Sequence, residues 1–328
     1  MIKKLATISL SCACAAVLAT AHAGSHGGDG KPKVSYNGSL GFKLNIQDSN
    51  DSWEMKNTKA RLGVNVMQDI SVGKLIGQFE VDYDNASNNT NQSDGTGDAD
   101  NGDELDIRNA RVVWKVPGDH TLVFAGRSPS GNFADNYAHL DIFDGGGYHY
   151  FQQGSHTGKL IGYKSPTFNG IHVGASIFST TPANDEDQDV VHFRVVWNSG
   201  PWHVGYGHVE SNTSTADDST REAVSFSYTD GPLKIAMTHE DKLLMAGTAD
   251  GDTVLGVAAS YTSGVHTFRG AVYSQDSDNS TNDGLSATTL EYSHALNKYA
   301  NAFVTIDQFD VTDSTDDDAT VFGINMKW

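Results

Sequence analysis

Apolar and polar residues alternate along most of the chain beyond its first two dozen positions. In KARLGVNVMQD (from Lys59), Ala60, Leu62, Val64 and Val66 fall on one face, and Arg61, Gly63, Asn65 and Asp69 on the other. After Ser71-Val72-Gly73, Leu75, Gly77, Phe79, Val81 and Tyr83 alternate with Lys74, Gln78, Glu80 and Asp82. A period of two over about ten residues marks a strand with one apolar and one wetted face. The pattern recurs in IHVGASIF (from Ile171), PWHVGYGHVE (from Pro201), AVSFSYTD (from Ala223) and YANAFVTID (from Tyr299).

The connections are of two kinds. Short turns are predicted at SVGK (from Ser71), VPGDH (from Val116), PTFNG (from Pro166), WNSGP (from Trp197), TDGP (from Thr229), YTSG (from Tyr261) and HALNK (from His294). Between them run long polar stretches such as NASNNTNQSDGTGDADNGDE (from Asn85) and VTDSTDDD (from Val311). This punctuation divides the chain into about sixteen strands joined by seven short turns and eight long loops. An even number of amphipathic strands predicts an all-β fold, a transmembrane antiparallel barrel with apolar faces toward lipid and a polar lumen. A soluble sandwich uses fewer strands and does not alternate short turns with long polar loops.

Composition narrows the picture. Hydrophobic residues make up 38% and mean hydropathy is −0.40, too polar for a bundle of membrane helices. With 22 Lys+Arg against 41 Asp+Glu the formal net charge is −19, which excludes an extended nucleic-acid surface. The one long apolar stretch is N-terminal: Lys3 and Lys4 precede Leu5 to Thr20, and Ala21-His22-Ala23 supplies small residues for cleavage. Residues 1–23 are therefore expected to be a signal peptide and 24–328 the barrel. Both cysteines, Cys12 and Cys14, lie in the segment to be removed, so no disulfide or thiolate chemistry is expected.

Catalytic and metal chemistry find no pattern to rest on. There is no G-x-S-x-G, so a hydrolase is not expected. His139, His149 and His156 are spaced too widely for a compact metal motif. DGTGDADNGDELD (from Asp94) lacks the register of an EF-hand loop. Neither an enzyme, a cofactor nor a resident metal is expected.

The last strand, ATVFGINMKW, puts Phe322, Ile324, Met326 and Trp328 on one face. It is similar to the C-terminal signal recognised by the outer-membrane barrel assembly machinery, with Trp in place of the usual final Phe. Three further segments carry a family resemblance: TKARLGVNV (from Thr58), VFAGRSPSGNFADNYAHLDIFDGGG (from Val123) and LIGYKSPTFNGIHVGASIF (from Leu160). Together they resemble Gram-negative general-diffusion porins. That family implies a homotrimer in outer-membrane lipid and lipopolysaccharide, with a long third loop, about 128–157 here, folded into the lumen to narrow it. It implies passive diffusion of small hydrophilic solutes and ions. A substrate-specific channel, or a non-conducting adhesin or receptor barrel, is the alternative.

The resemblance also assigns residues. It implies a basic constriction wall of Arg61, Arg127 and Lys164, with Arg111 or Arg108 from NARVVWK, where a bulge could bring in either. Opposite, Asp141 and Asp144, with Asp135 a weaker third, are implied as the acidic ledge of the loop. A modest cation preference is expected from carboxylates in the long loops. These are Asp48 and Asp51, then Asp94, Asp98, Asp100, Asp103 and Glu104, then Asp185, Glu186, Asp187 and Asp189, then Asp217 and Asp218, and finally Asp313, Asp316, Asp317 and Asp318.

Overall fold

The computed structural model describes residues 31–47, 52–84, 104–129, 139–145, 156–178, 190–211, 219–242, 252–276, 284–310 and 318–328. They form sixteen strands: β1 (Lys33–Gln47), β2 (Ser52–Ile70), β3 (Gly73–Asp84), β4 (Glu104–Val116), β5 (His120–Pro129), β6 (His156–Lys164), β7 (Ile171–Phe178) and β8 (Val190–Ser199). The second half comprises β9 (Trp202–Ser211), β10 (Ser219–Asp230), β11 (Leu233–Lys242), β12 (Asp252–Ser263), β13 (His266–Asp276), β14 (Leu285–Asn297), β15 (Ala300–Asp310) and β16 (Ala319–Lys327). Each strand pairs antiparallel with its sequence neighbours, and β16 returns to β1 to close the barrel. Backbone bonds Gly38 N–Trp328 O (3.2 Å) and Trp328 N–Gly38 O (3.1 Å) extend this seam to the last residue.

Closure satisfies every ladder and leaves no edge, the condition for crossing hydrocarbon with strands. The alternation then sorts side chains by solvent. Leu62, Ile161, Val272 and Leu290 are exposed on the outer face, whereas Glu240, Thr238, Thr289 and Thr305 are fully buried on the inner one. This inside-out distribution is that of a lipid-facing barrel. Phe322, Ile324, Met326 and Trp328 all lie exposed on the outer face of the seam.

The seven short turns occur where the sequence predicts them and share one end of the barrel with the start of β1 and the end of β16. Aromatic and imidazole side chains gather on the outer face at that end. His120 Nδ1 lies 2.8 Å from Tyr163 Oη, His266 Nδ1 2.8 Å from Tyr292 Oη, and Trp114 Nε1 donates to Val72 O at 3.1 Å. Such amphipathic rings suit a membrane–water boundary. In the β6–β7 turn, Asn169 (φ 48°) and Gly170 (φ 82°) are both left-handed, closed by the Phe168–Ile171 bridge. A Cβ on Gly170 would lie 2.1 Å from Asn198 O, so this Asn-Gly pair fits both the turn type and its neighbour.

Two features differ from the sequence expectation. β1 ends at Gln47 and β2 starts at Ser52, so Asp48 and Asp51 belong to a four-residue connection rather than a long loop. The cause is a 19-residue β2 whose pairing with β1 survives a register shift at Gly41/Phe42. The connection between β5 and β6 covers 130–155, two residues less at each end than expected, because the ladder reaches Pro129↔His156.

Candidate functional site: the barrel lumen and its third loop

One charged cluster forms on the inner face of β1–β5. Arg61 and Asp82 are cross-strand partners, and Arg61 Nε donates to Asp82 Oδ2 at 2.9 Å. Arg108 bridges two carboxylates, Nε at 3.1 Å from Glu80 and Nη1 at 3.3 Å from Asp82. Arg111 is held by neutral groups: Nε donates to Gln78 Oε1 at 2.6 Å and Nη1 to Ser128 Oγ at 3.0 Å. Asn37, Asn65 and Asn109 join in, with Asn65 donating to Asn37 Oδ1 (2.9 Å), Gln78 to Asn65 Oδ1 (3.0 Å), and Asn109 to Glu80 Oε1 (3.4 Å). Among the described side chains, the cluster sets three guanidiniums against two carboxylates.

A bulge brings both arginines of β4 into this cluster. The register shifts between Glu80 and Val81: Asn109 pairs with Glu80, Ile107 with Val81, and Arg108 is the extra residue between them. An inserted residue escapes strict alternation, so Arg108 reaches the lumen beside Arg111. A second bulge acts oppositely. On β5, Ala125 pairs with Arg111 and Arg127 with Ala110, making Gly126 the extra residue. Arg127 thereby falls in the outward row of Ala110 and Phe79, while Ser128 takes the inward place and meets Arg111.

Lys164 is elsewhere again. It pairs with Thr121 next to the short turn, whereas Arg127 pairs with Gly158, six residues along the same ladder. At about 3.3 Å per residue that is a separation of about 20 Å. Lys164 lies instead beside His172 of β7.

The described part of the third loop, 139–145, lies against the inner face of the other wall. Leu140 and Phe143 are buried among Ala223, Ala236, Val254, Ala258, Ala271, Tyr273 and Ala287. The five alanines among them, one from each of β10–β14, leave room for two large apolar side chains inside the lumen. Polar bonds fix the tip: Asp144 N and Gly145 N donate to the buried Glu291 carboxylate (both 2.9 Å to Oε2), as does Thr305 Oγ1 at 2.7 Å. Arg269 binds Glu291 and also donates to Asp144 Oδ2 at 2.8 Å, which Asn301 Nδ2 reaches at the same distance. Lys43 Nζ of β1 donates to Gly145 O at 3.1 Å. Gly145 packs so closely on Phe303 that a Cβ would come within 2.3 Å of the ring.

Asp144 thus engages the wall that carries the loop. Asp141 is exposed and neighbours Lys234 of β11. Asp135 lies outside the described residues, as does His149. Glu80, Asp82, Glu291 and Arg269 were not singled out from sequence. Their signal is the inward parity of their strands, which marks a charge as lumenal without saying what it meets. Since β3 is eight strands from β11 in a closed barrel of sixteen, the arginine cluster faces the loop-bearing wall across the lumen. Among the described residues, no group of three or more His, Cys, Asp or Glu side chains converges as a metal site.

Residues 9–314 match the family model for Gram-negative porins. Among solved structures, the fold is similar to an anion-selective porin from Comamonas acidovorans (TM-score 0.69, 15% identity, covering 91% of this chain and 100% of that one). It is similar to OmpF of Salmonella typhi in complex with daunomycin (0.70, 14%, 90% and 98%). It is also similar to the outer-membrane channel DcaP of Acinetobacter baumannii (0.68, 14%, 93% and 99%). Comparison with curated proteins gives no significant match. The family match over most of the sequence and the closed sixteen-stranded barrel agree: the chain belongs to the Gram-negative porin family and is an outer-membrane channel protein.

Proposed function

We propose that the channel passes small hydrophilic solutes and ions by passive diffusion, through an eyelet between the Arg61–Arg108–Arg111 cluster and the third loop. The observation that carries this reading is the docked loop, held across the lumen from that cluster by Glu291 and by Leu140 and Phe143. Charges of both signs around a narrow aqueous gap orient dipolar solutes and disfavour apolar ones. Residues 1–23 act as the export signal, the C-terminal aromatic face is read by the barrel assembly machinery, and the barrel works as a homotrimer in lipid and lipopolysaccharide. One solved relative, OmpT of Vibrio cholerae, is described in a trimer form.

A modest cation bias at low salt is the finer part of the proposal. It arises at the long-loop mouth, where nearly all of the loop carboxylates lie outside the described residues. The lumenal cations oppose it, and one relative of similar fold is anion-selective. Purified protein in a planar bilayer tests both levels. KCl conductance is expected, with a reversal potential favouring potassium at low salt and fading near molar salt as screening shortens to about 3 Å. A folded barrel that carries no current would favour the adhesin or receptor reading, and chloride preference at low salt would refute the cation bias.

A further inference from the structure

The outer face at the short-turn end carries the same polar pair twice. His120 is the first residue of β5 and His266 the first of β13. Two residues on, Leu122 pairs with Tyr163 of β6 and Phe268 with Tyr292 of β14, so each tyrosine sits diagonally from its histidine on the neighbouring strand. The geometry repeats: Nδ1 to Oη is 2.8 Å in both, with ring centroids 5.9 and 6.0 Å apart and planes inclined by 26° and 24°. The equivalent places on β9 and β10 hold Trp202 and Phe226, with centroids 5.5 Å apart, so a ring pair alone fills this corner. The imidazole–phenol version adds a hydrogen bond between the rings, which fixes how the imidazole presents its other nitrogen. Above each pair lies exposed apolar wall, Phe124 and Ile161 over the first, Val272 and Leu290 over the second.

We propose that each pair is a docking point for the phosphodiester of a glycerophospholipid in the leaflet at the short-turn end. A phenol is the better donor and a neutral imidazole nitrogen a good acceptor, so Tyr163 and Tyr292 Oη donate to Nδ1. That bond selects the tautomer with its proton on Nε2. Nε2 lies on the far edge of the ring, so its N–H is turned away from the phenol and toward the headgroups. A hydrogen bond from it to a phosphate oxygen is charge-assisted and belongs to the stronger class. Around Tyr292 the arrangement continues, since its oxygen lies 3.4 Å from Nδ1 of His294, which pairs with His266 across the ladder. Acyl chains over the apolar wall and a phosphate at the imidazole make the profile of one lipid. The barrel geometry favours lipid as the occupant. β5–β6 and β13–β14 are eight strands apart in a closed ring of sixteen, on opposite sides. A single protein contact reaches one of these sides, whereas the membrane recurs at both. The docking point rests on the outer-membrane barrel alone, not on what passes through it.

Dihexanoylphosphatidylcholine is the probe, added to the folded barrel in octyl glucoside, a detergent without phosphate, while the thermal transition midpoint is followed. Dihexanoylglycerol and inorganic phosphate are the controls, one lacking the headgroup and the other the chains. The phospholipid is expected to raise the wild-type midpoint saturably, and neither control to do so. The H120F/H266F variant keeps a ring in each corner but loses the N–H. It should raise the half-saturating concentration about two- to tenfold, the worth of one hydrogen bond. Y163F/Y292F keeps both imidazoles but frees their tautomers, and should give a smaller rise in the same direction. Heat-modifiable migration on gels checks that each variant is folded. Equal responses to dihexanoylglycerol and the phospholipid would overturn the docking point, as would an H120F/H266F variant indistinguishable from wild type. Loss of the trimer in that variant, with its phospholipid response intact, would assign the corners to contacts between copies instead.

Discussion

Glu291 shows how much one lumenal residue can hold. Its fully buried carboxylate accepts from two loop amides and Thr305 while neutralising Arg269. Removing one member of such a set strands the rest. Glu291→Ala is therefore expected to cost about 3–5 kcal/mol and to release the loop tip. The checks are a lowered thermal midpoint and a noisier, larger single-channel current. Asp144→Ala should give the same current change more weakly, since Asp144 takes only part of the Arg269 and Asn301 bonding. Asp141→Ala should alter selectivity more than stability, because that side chain is exposed beside Lys234. Gly170 tests the turn chemistry: Gly170→Ala meets both a left-handed backbone and the Asn198 carbonyl. It should slow or prevent recovery of the folded band on refolding.

At the scale of elements, the third loop is a segment that chooses between water and wall. Leu140 and Phe143 bury against alanines, so the double alanine variant is expected to undock it at a cost on the order of 3 kcal/mol or more. Conductance should rise while the barrel still closes. His139 makes the same docking sensitive to acid. Burial against the wall, with His203 and Lys234 beside it, lowers its imidazole to about 4. The undocked loop binds the proton more readily, near an ordinary value of about 6.5. Docking is thus fully favoured above about pH 6.5 and weakens as pH falls from there toward 4. Protease cleavage within the loop, followed against pH, should rise on acidification in wild type and stay flatter in His139→Gln. Strands were legible element by element because period-two patterning and Gly/Pro/Asn turns are local signals. Within the site, Arg61 followed simple alternation. Arg108 and Arg127 did not, since each sits at or just past a bulge that resets inside and outside, and which residue is inserted is decided by pairing with the neighbouring strand. The alanine platform under the loop was equally hidden: its members come from five strands and become a surface only when the barrel closes.

For the whole molecule, the charge distribution separates by region. The long loops hold the acidic surplus of the sequence, while the inner wall of β2–β4 carries the Arg61–Arg108–Arg111 cluster. Folding brings Arg61 of β2 and the two arginines of β4 together because both strands flank β3. Selectivity is then a competition between mouth and lumen. Neutralising loop carboxylates by acid should move the reversal potential toward chloride, measured under a KCl gradient. Closure has a further consequence, for engineering. The first and last strands are hydrogen-bonded neighbours, and β1 starts and β16 ends on the short-turn side. A linker bridging them would make the seam an ordinary hairpin, so the chain could be reopened within any of the eight connections at the opposite rim. A circular permutant opened there presents new ends, and any tag attached to them, on the outer side of the membrane without altering a single pair in the ladder.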